Sequence, residues 1–265
     1  VERGIREVVI TGTNVGDYGT DWSERPQLVE LFEAILNETS LERLRVSSLD
    51  PTEITDKLIS LMEKNVRFCP HFHVSLQSPS TRILKLMKRR YGFSEVRACL
   101  RRISEIPAPL GGVFVGMDVI TGFPGETAEE FEESYSALKA LPWSRLHVFP
   151  YSEREGTPAT RLPMSVPVAE RVRRARALGR LSLERVRNHY ERILQSSQIL
   201  EKVLFEKPFK GMDQGYTPNY LRVLMPRVEP SPALRNQLVN VIPERVEIDE
   251  AAGEAFLVGR QATVG

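Results

Sequence analysis

Residues 116–127 read G-M-D-V-I-T-G-F-P-G-E-T, and they continue an apolar run that begins at Val113-Phe114-Val115. Val119 and Ile120 extend that run, which then stops at Gly122, Pro124 and Gly125. These residue types permit tight turns and close approach of the backbone to a ligand. Thr127 with Glu130 three residues later has the spacing of a capping box, so a helix is predicted to begin there. Glu126 is expected to serve that helix N-terminus through its charge. A strand, a glycine-bearing turn and a helix N-terminus commonly hold a small ligand in α/β proteins. An ordinary strand-to-helix turn has the same outline, and on this stretch alone both readings stand.

The unit recurs on either side. Residues 6–11 (R-E-V-V-I-T) read as a short buried strand, followed by the three-glycine loop G-T-N-V-G-D-Y-G. Pro26 is then expected to open a helix with Leu28, Leu31, Phe32, Ile35 and Leu36 on one face. A second strand, 44–48, leads to Asp50-Pro51-Thr52-Glu53, where Asp50 is expected to cap a helix carrying Ile54, Leu58, Leu61 and Met62. The third strand, 72–76, turns through Gln77-Ser78-Pro79-Ser80 into a helix with Ile83, Leu84 and Met87. Ser94 is expected to cap the next helix, through Val96, Leu100 and Ile103. A fifth strand, 146–150, ends in an irregular loop to Pro163. Five strands alternating with helices predict a parallel sheet of right-handed βαβ units, whose ligands gather at the C-terminal strand ends. Those ends carry Asn14, Ser47, Gln77, Asp118 and Tyr151.

The chain has 265 residues, 41% hydrophobic and 27% charged, the composition of a globular protein with room for one large domain and a small one. No apolar run approaches the roughly 20 residues that cross a bilayer, and no signal-peptide pattern opens the sequence, so no membrane partner is expected. The two cysteines, Cys69 and Cys99, match no zinc or iron–sulfur spacing and read as inert thiols of a cytoplasmic protein. Val1 is not a natural start and a strand follows within a few residues, so the sequence reads as part of a longer protein.

The net charge of +1 conceals clustering. Residues 166–198 read as a long helical segment with eight arginines against three glutamates, and residues 82–102 hold eight Lys or Arg against Glu95 alone. Each is either a solvated face or a surface for nucleic acid. From about Ile199 the pattern changes to short alternating runs (203–205, 220–224, 238–242, 255–258). Turns are expected at Gly211, Gly215, Pro226, Pro230, Pro232 and Gly253, so a small β-barrel or sandwich is predicted.

Six motifs, in order, resemble the radical S-adenosylmethionine methylthiotransferases: T-G-T-N-V-G-D-Y-G (11–19), R-V-S-S-L-D-P (45–51), H-F-H-V-S-L-Q-S (71–78), M-K-R-R-Y (87–91), D-V-I-T-G-F-P-G-E-T (118–127) and F-P-Y-S-E-R-E-G-T-P-A (149–159). The resemblance implies an α/β fold, a partial (β/α) radical-SAM-type barrel over 1–164 that lacks its first strand. It further implies a basic helical segment over 165–198 and a small all-β, TRAM-like RNA-binding barrel over 199–265, with G-Y-T-P-N-Y (215–220) as the best local match. Ser47-Ser48 and His147-Val148-Phe149 look more like the branch that modifies threonylcarbamoyladenosine beside the tRNA anticodon. Sister branches act on isopentenyladenosine in tRNA or on a ribosomal-protein aspartate. The implied cofactors are S-adenosylmethionine and two [4Fe–4S] clusters; the implied partners are the anticodon stem-loop of tRNA and an electron donor for cluster reduction.

The chain departs from the family in having no C-x-x-x-C-x-x-C, so it is expected to be inactive by itself. Pro79 stands where glycine is usual, and the turn carrying Gln77 is expected to differ locally; Glu155 stands where proline is common. By resemblance, Ile120 and Gly122 would place backbone against the adenine of S-adenosylmethionine, unless they are plain core strand. Asp118, Gln77, Asn14 and Ser47 would meet its polar parts, the alternatives being barrel-stabilising or turn-forming hydrogen bonds. Phe149 and Tyr151 would stack on it or pack in the barrel mouth. His71 and His73 share one strand face, with metal binding the less favoured use. The rival from another class is a non-catalytic RNA-binding protein; no Ser-His-Asp set or paired carboxylates support a hydrolase.

Overall fold

A computed structural model describes residues 4–227 and 234–262. Six parallel strands follow one another in chain order, as a two-stranded and a four-stranded sheet. β1 (Glu7–Ile10) pairs with β2 (Arg43–Val46), and the Ser47 amide continues that ladder by donating to the Ile10 carbonyl at 2.9 Å. The chain kinks at Ser47 into β3 (Ser48–Leu49), which pairs with β4 (His71–Gln77); β5 (Phe114–Thr121) and β6 (Arg145–Pro150) complete the sheet. Parallel neighbours need long crossovers, and helices α1 (Leu28–Glu38), α2 (Asp56–Lys64), α3 (Thr81–Leu86), α4 (Phe93–Ser104) and α5 (Ala128–Ala140) provide them.

Local capping decides where these helices begin. The box at Thr127 is present: its Oγ1 accepts from the Glu130 amide at 3.2 Å and the Glu130 carboxylate from the Thr127 amide at 3.1 Å. The predicted start at Asp50 is corrected. The Glu53 amide and carboxylate both bond back to Asp50, closing a turn, and α2 begins five residues later, capped by Thr55. Likewise α4 is capped at Gly92 rather than Ser94, because Glu95 accepts from the Gly92 amide while Thr81 Oγ1 accepts from Phe93 N. Pro26 lies just outside α1, whose cap is Gln27.

Alternation splits the sheet into two unlike faces. Leu44, Val46, Phe72, Val74, Leu76, Val115, Met117, Val119 and Leu146 join the helices in one core. The other face carries Glu7, Arg43, Arg45, His71, His73, Asp118, Arg145 and His147. It is the concave inner face of an open half-barrel.

Helix α6 (Val168–Gln195) spans both parts of the molecule: Leu178 and Leu181 pack into the sheet core, while Val186, Tyr190 and Ile193 pack into a second core. That core belongs to a closed five-stranded barrel of β7 (Leu200–Phe205), β8 (Met212–Tyr216), β9 (Arg222–Pro226), β10 (Leu238–Asp249) and β11 (Glu254–Gln261). The order is β7-β8-β9-β11-β10, with β9 and β11 parallel, the arrangement of oligonucleotide-binding barrels. Gly215 is not a turn residue. It lies within β8, where an added Cβ would fall 2.7 Å from the Leu204 carbonyl of β7. The expected turns at Pro230 and Pro232 lie outside the described residues.

The barrel docks on the N-terminal end of the half-barrel. Arg43, 3% exposed, donates to the carbonyls of Tyr216 (3.0 Å), Lys202 (3.3 Å) and Thr217 (2.7 Å) and pairs with Glu7 at 2.7 Å. Tyr220 lays its ring 4.6 Å from that of His71, with the Arg45 guanidinium 4.7 Å from its centre. Arg43→Ala would take the donor from three carbonyls and leave Glu7 with Arg45 alone. It is predicted to lower the unfolding free energy by about 3–5 kcal/mol in urea titrations; a loss below about 1 kcal/mol would show that the docking rests elsewhere.

Candidate functional site

The opposite end of the half-barrel is held by α6. Gly122, at φ +70, is buried beneath Arg171, and a Cβ there would fall 2.3 Å from Arg171 Cγ. Its amide donates to Glu126 Oε2 at 2.6 Å, and the same oxygen receives Arg174 Nη1 at 2.6 Å. Glu126 therefore does not serve the helix N-terminus as expected. It is a buried carboxylate that locks the turn to α6, while Thr127 and Glu130 cap α5. Burial pushes its pKa up, opposed by Arg174 and the Gly122 amide. Arg171 adds bonds to the carbonyls of Val166 (2.6 Å) and Tyr151 (3.0 Å) and an ion pair with Glu153.

Above the docked barrel, the inner face is a stack of polar rows. Asp118 lies opposite His147 in the ladder, and His73 Nε2 sits 2.9 Å from Asp118 Oδ1, too far off line for an aligned hydrogen bond. The rings of His73 and His147 stack at 5.1 Å. Burial, reinforced by Arg145, pushes His147 down to about 4, and burial pushes His71 well below its ordinary value. Both are neutral at pH 7. One row higher, Ile120 is paired in register with Phe149, which is 52% exposed. Gln77 is paired with Val119 across a bulge and takes φ +63, an uncommon conformation for a side-chain-bearing residue. The turn before Pro79 is indeed unusual, and the strain falls on Gln77 itself.

The structure thus gathers Gln77, Asp118, Ile120, Phe149 and Tyr151 on β4–β6 and the residue after it. Asn14 and Ser47 stand apart at the ends of β1 and β2; the Asn14 amide bonds to Asp17 and holds its own turn. Gly122 is beneath the surface with its amide engaged. His73 and His147 escaped the sequence reading as neighbours of Asp118, although alternation along β4 and β6 would have placed them on its face. Arg171 and Arg174 were read only as charge.

This face suits a polar, partly aromatic ligand. Tyr151 Oη and His73 Nε2 are buried without hydrogen-bond partners on the strands that carry the exposed Phe149 ring; His71 Nδ1, also unpartnered, lies at the docked end beneath Tyr220. Unpaired polar atoms next to an aromatic plane match what an adenosine presents.

Residues 1–138 match the family profile of the Radical SAM superfamily. The chain belongs to that superfamily. It is 35% identical over 237 residues to a threonylcarbamoyladenosine tRNA methylthiotransferase of Bacillus subtilis, covering 86% of this chain and 51% of the relative. A protein of that name from Rickettsia prowazekii is 40% identical over 193 residues, 72% of this chain and 45% of the relative. A tRNA-2-methylthio-N(6)-dimethylallyladenosine synthase of Endomicrobium trichonymphae is 34% identical, with 84% and 51% covered. The chain spans about half the length of the curated relatives it matches.

The superfamily implies S-adenosylmethionine and a [4Fe–4S] cluster, and the two fare differently here. The inner face fits the nucleoside of S-adenosylmethionine. The thiols of this chain do not fit a cluster: Cys69 and Cys99 are both buried, and burial pushes both pKa values up, that of Cys99 to about 11. Among the described residues no group of three or more His, Cys, Asp or Glu could hold a metal ion, and no helix is long and apolar enough to cross a membrane.

The histidines set a pH dependence. His147 and His189 are each pushed down to about 4, chiefly by burial. Between about 6.5 and 4 the unfolded chain therefore binds protons that the folded chain does not. Stability is predicted to fall as pH drops through that window, and His189→Gln to flatten the fall in pH-dependent denaturation; identical profiles for the two proteins would contradict this.

Proposed function

We propose that this chain forms the substrate-facing half-barrel, linking helix and RNA-binding tail of a tRNA methylthiotransferase. Its divisions are taken as residues 1–164, 165–198 and 199–265, and its substrate as threonylcarbamoyladenosine beside the anticodon, in the cytosol. The observation that carries the reading is the polar inner face with unpaired atoms at Tyr151 and His73, on a sheet of a superfamily that uses S-adenosylmethionine. Relatives named for this tRNA reaction supply the substrate.

Bound S-adenosylmethionine supplies radical chemistry able to act on an unreactive carbon–hydrogen bond. The residues of this chain bind and orient. Ile120 and Phe149 flank the adenine, Gln77 and Asp118 take hydroxyl and amine groups, and Tyr151 Oη completes a partner left open. The neutral imidazole of His147 faces a sulfonium cation without repelling it. The Glu126–Arg174 pair keeps the turn beside them fixed, so that cofactor and base meet in one orientation. The two buried cysteines of this chain supply no cluster ligand.

Mass spectrometry of tRNA nucleosides from cells lacking the gene is predicted to show loss of methylthiolated threonylcarbamoyladenosine, with its unmethylthiolated form accumulating. Persistence of the modified base would refute the assignment. Loss of the dimethylallyl derivative instead would select the sister reaction, which the Endomicrobium relative favours. Reconstitution of the 265-residue chain with iron and sulfide is predicted to leave it without a stoichiometric [4Fe–4S] absorption spectrum; such a spectrum would contradict the cysteine argument.

A further inference from the structure

We propose that Lys85, Lys88 and Arg90, at the rim of the half-barrel, form the surface that takes the phosphate backbone of an RNA, with Arg97 and Arg101 extending it along α4. The proposal rests on the RNA reading above and says where on this chain the RNA lies.

The two basic clusters look alike in the sequence, and the structure separates them. In α6, Arg171 and Arg174 are buried in the turn clamp. Arg173 pairs with Glu170 at 2.7 Å, Arg185 donates to the carbonyls of Leu141, Trp143 and Lys139, and Arg187 lies 3.7 Å from Glu250. Three of its eight arginines, Arg171, Arg174 and Arg185, are thus tied into the fold, and two more make exposed ion pairs.

Over 82–102 the division is different. Arg82 is fixed to Glu130, Arg102 to Asp56, and Arg89 lies 3.7 Å from Asp50. Lys85, Lys88, Arg90, Arg97 and Arg101 are all exposed, and among the described residues none has a carboxylate within 4.0 Å. Asp50 and Glu53 feel Arg90 only at longer range. Two features run against stability. Arg97 and Arg101 are like charges at i,i+4, each such pair costing about 0.2–0.5 kcal/mol. Lys88 has φ +60 just past the end of α3, where helices commonly finish on glycine. A long cation there is disfavoured by the backbone and unrewarded by any ion pair.

Position supplies the rest. Arg82 ties α3 to the Gly125 carbonyl, and Arg89 reaches Asp50 just beyond β3, so residues 85–90 lie at the end of the sheet that carries Gln77 and Phe149. RNA held there would present a nucleotide directly to the inner face. The β8–β9 face, which such barrels use for nucleic acid, is turned largely inward. Arg43 bonds the Tyr216 carbonyl, and Arg145 and Arg222 share Glu254.

The test is fluorescence anisotropy of a labelled anticodon stem-loop RNA with the whole chain, titrated against salt. Each lost phosphate contact reduces the salt slope by roughly 0.7–0.9. The triple variant Lys85→Ala/Lys88→Ala/Arg90→Ala is expected to lower the slope by about 2 and weaken binding about tenfold or more at low salt. Arg176→Ala/Arg180→Ala/Arg192→Ala, on the exposed side of α6, is expected to stay within about twofold. Both triples remove exposed side chains and should melt like the unsubstituted chain. An unchanged slope in the first triple, or a loss carried by the second, overturns the rim while leaving the RNA reading intact. Failure of the unsubstituted chain to bind the RNA overturns both.

Discussion

Arg43 has almost no contact with water, yet its guanidinium serves two separate bodies. On one side it pairs with Glu7 at the start of β1; on the other it bonds three carbonyls of the C-terminal barrel. An open half-barrel has an inner face with no partner sheet, and polar residues there survive only if each finds a counterpart. Arg43 and Arg45 both pair with Glu7 at the bottom, and Tyr220 covers His71 beside them. A buried ion pair of this kind is weak evidence for net stability, because desolvation offsets much of the attraction. What it secures is the relation between parts: with one partner removed, an uncompensated charge remains buried.

The other end is governed by the same physics with a different result. Arg171 and Arg174 reach from α6 into the turn at Gly122–Glu126, so the polar rows between the two ends are held on a fixed frame. Within that frame Tyr151 Oη and His73 Nε2 stay unpaired, on the strands that among the described residues carry the strongly exposed aromatic Phe149. Open valences on a face held firmly at both ends are what a ligand-binding face requires. The clamp also accounts for Gly122: contact with Arg171 demands a residue without a side chain, whatever the ligand.

The alternation of strands and helices in a parallel sheet, the capping box at Thr127 and the change to β structure after Ile199 were legible in the sequence, because alternation and turn chemistry are local. Helix starts at Asp50 and Ser94 misled for an equally local reason. Several residues there can cap, and Glu53 and Glu95 chose partners that the pattern does not rank. The arginines of α6 were illegible in principle. Eight similar side chains along one helix divide into buried clamps and exposed charges through tertiary contacts the pattern does not show, such as Arg174 with Glu126, 48 residues away. The neighbourhood of Asp118 was half legible: its strand end was evident, but His73 and His147 reach it across register pairs that the sequence leaves unstated.

In the proposed function the row of His73, Asp118 and His147 lies beneath bound S-adenosylmethionine. The chain has four histidines, so its imidazole nitrogen resonances form a small, assignable set. Their shifts, followed by NMR as S-adenosylhomocysteine is added to saturation, test the claim directly. The structure predicts that His73 and His147 move together while His189, on α6 and packed against Phe114, stays in place. No movement, or movement of His189 alone, would contradict it.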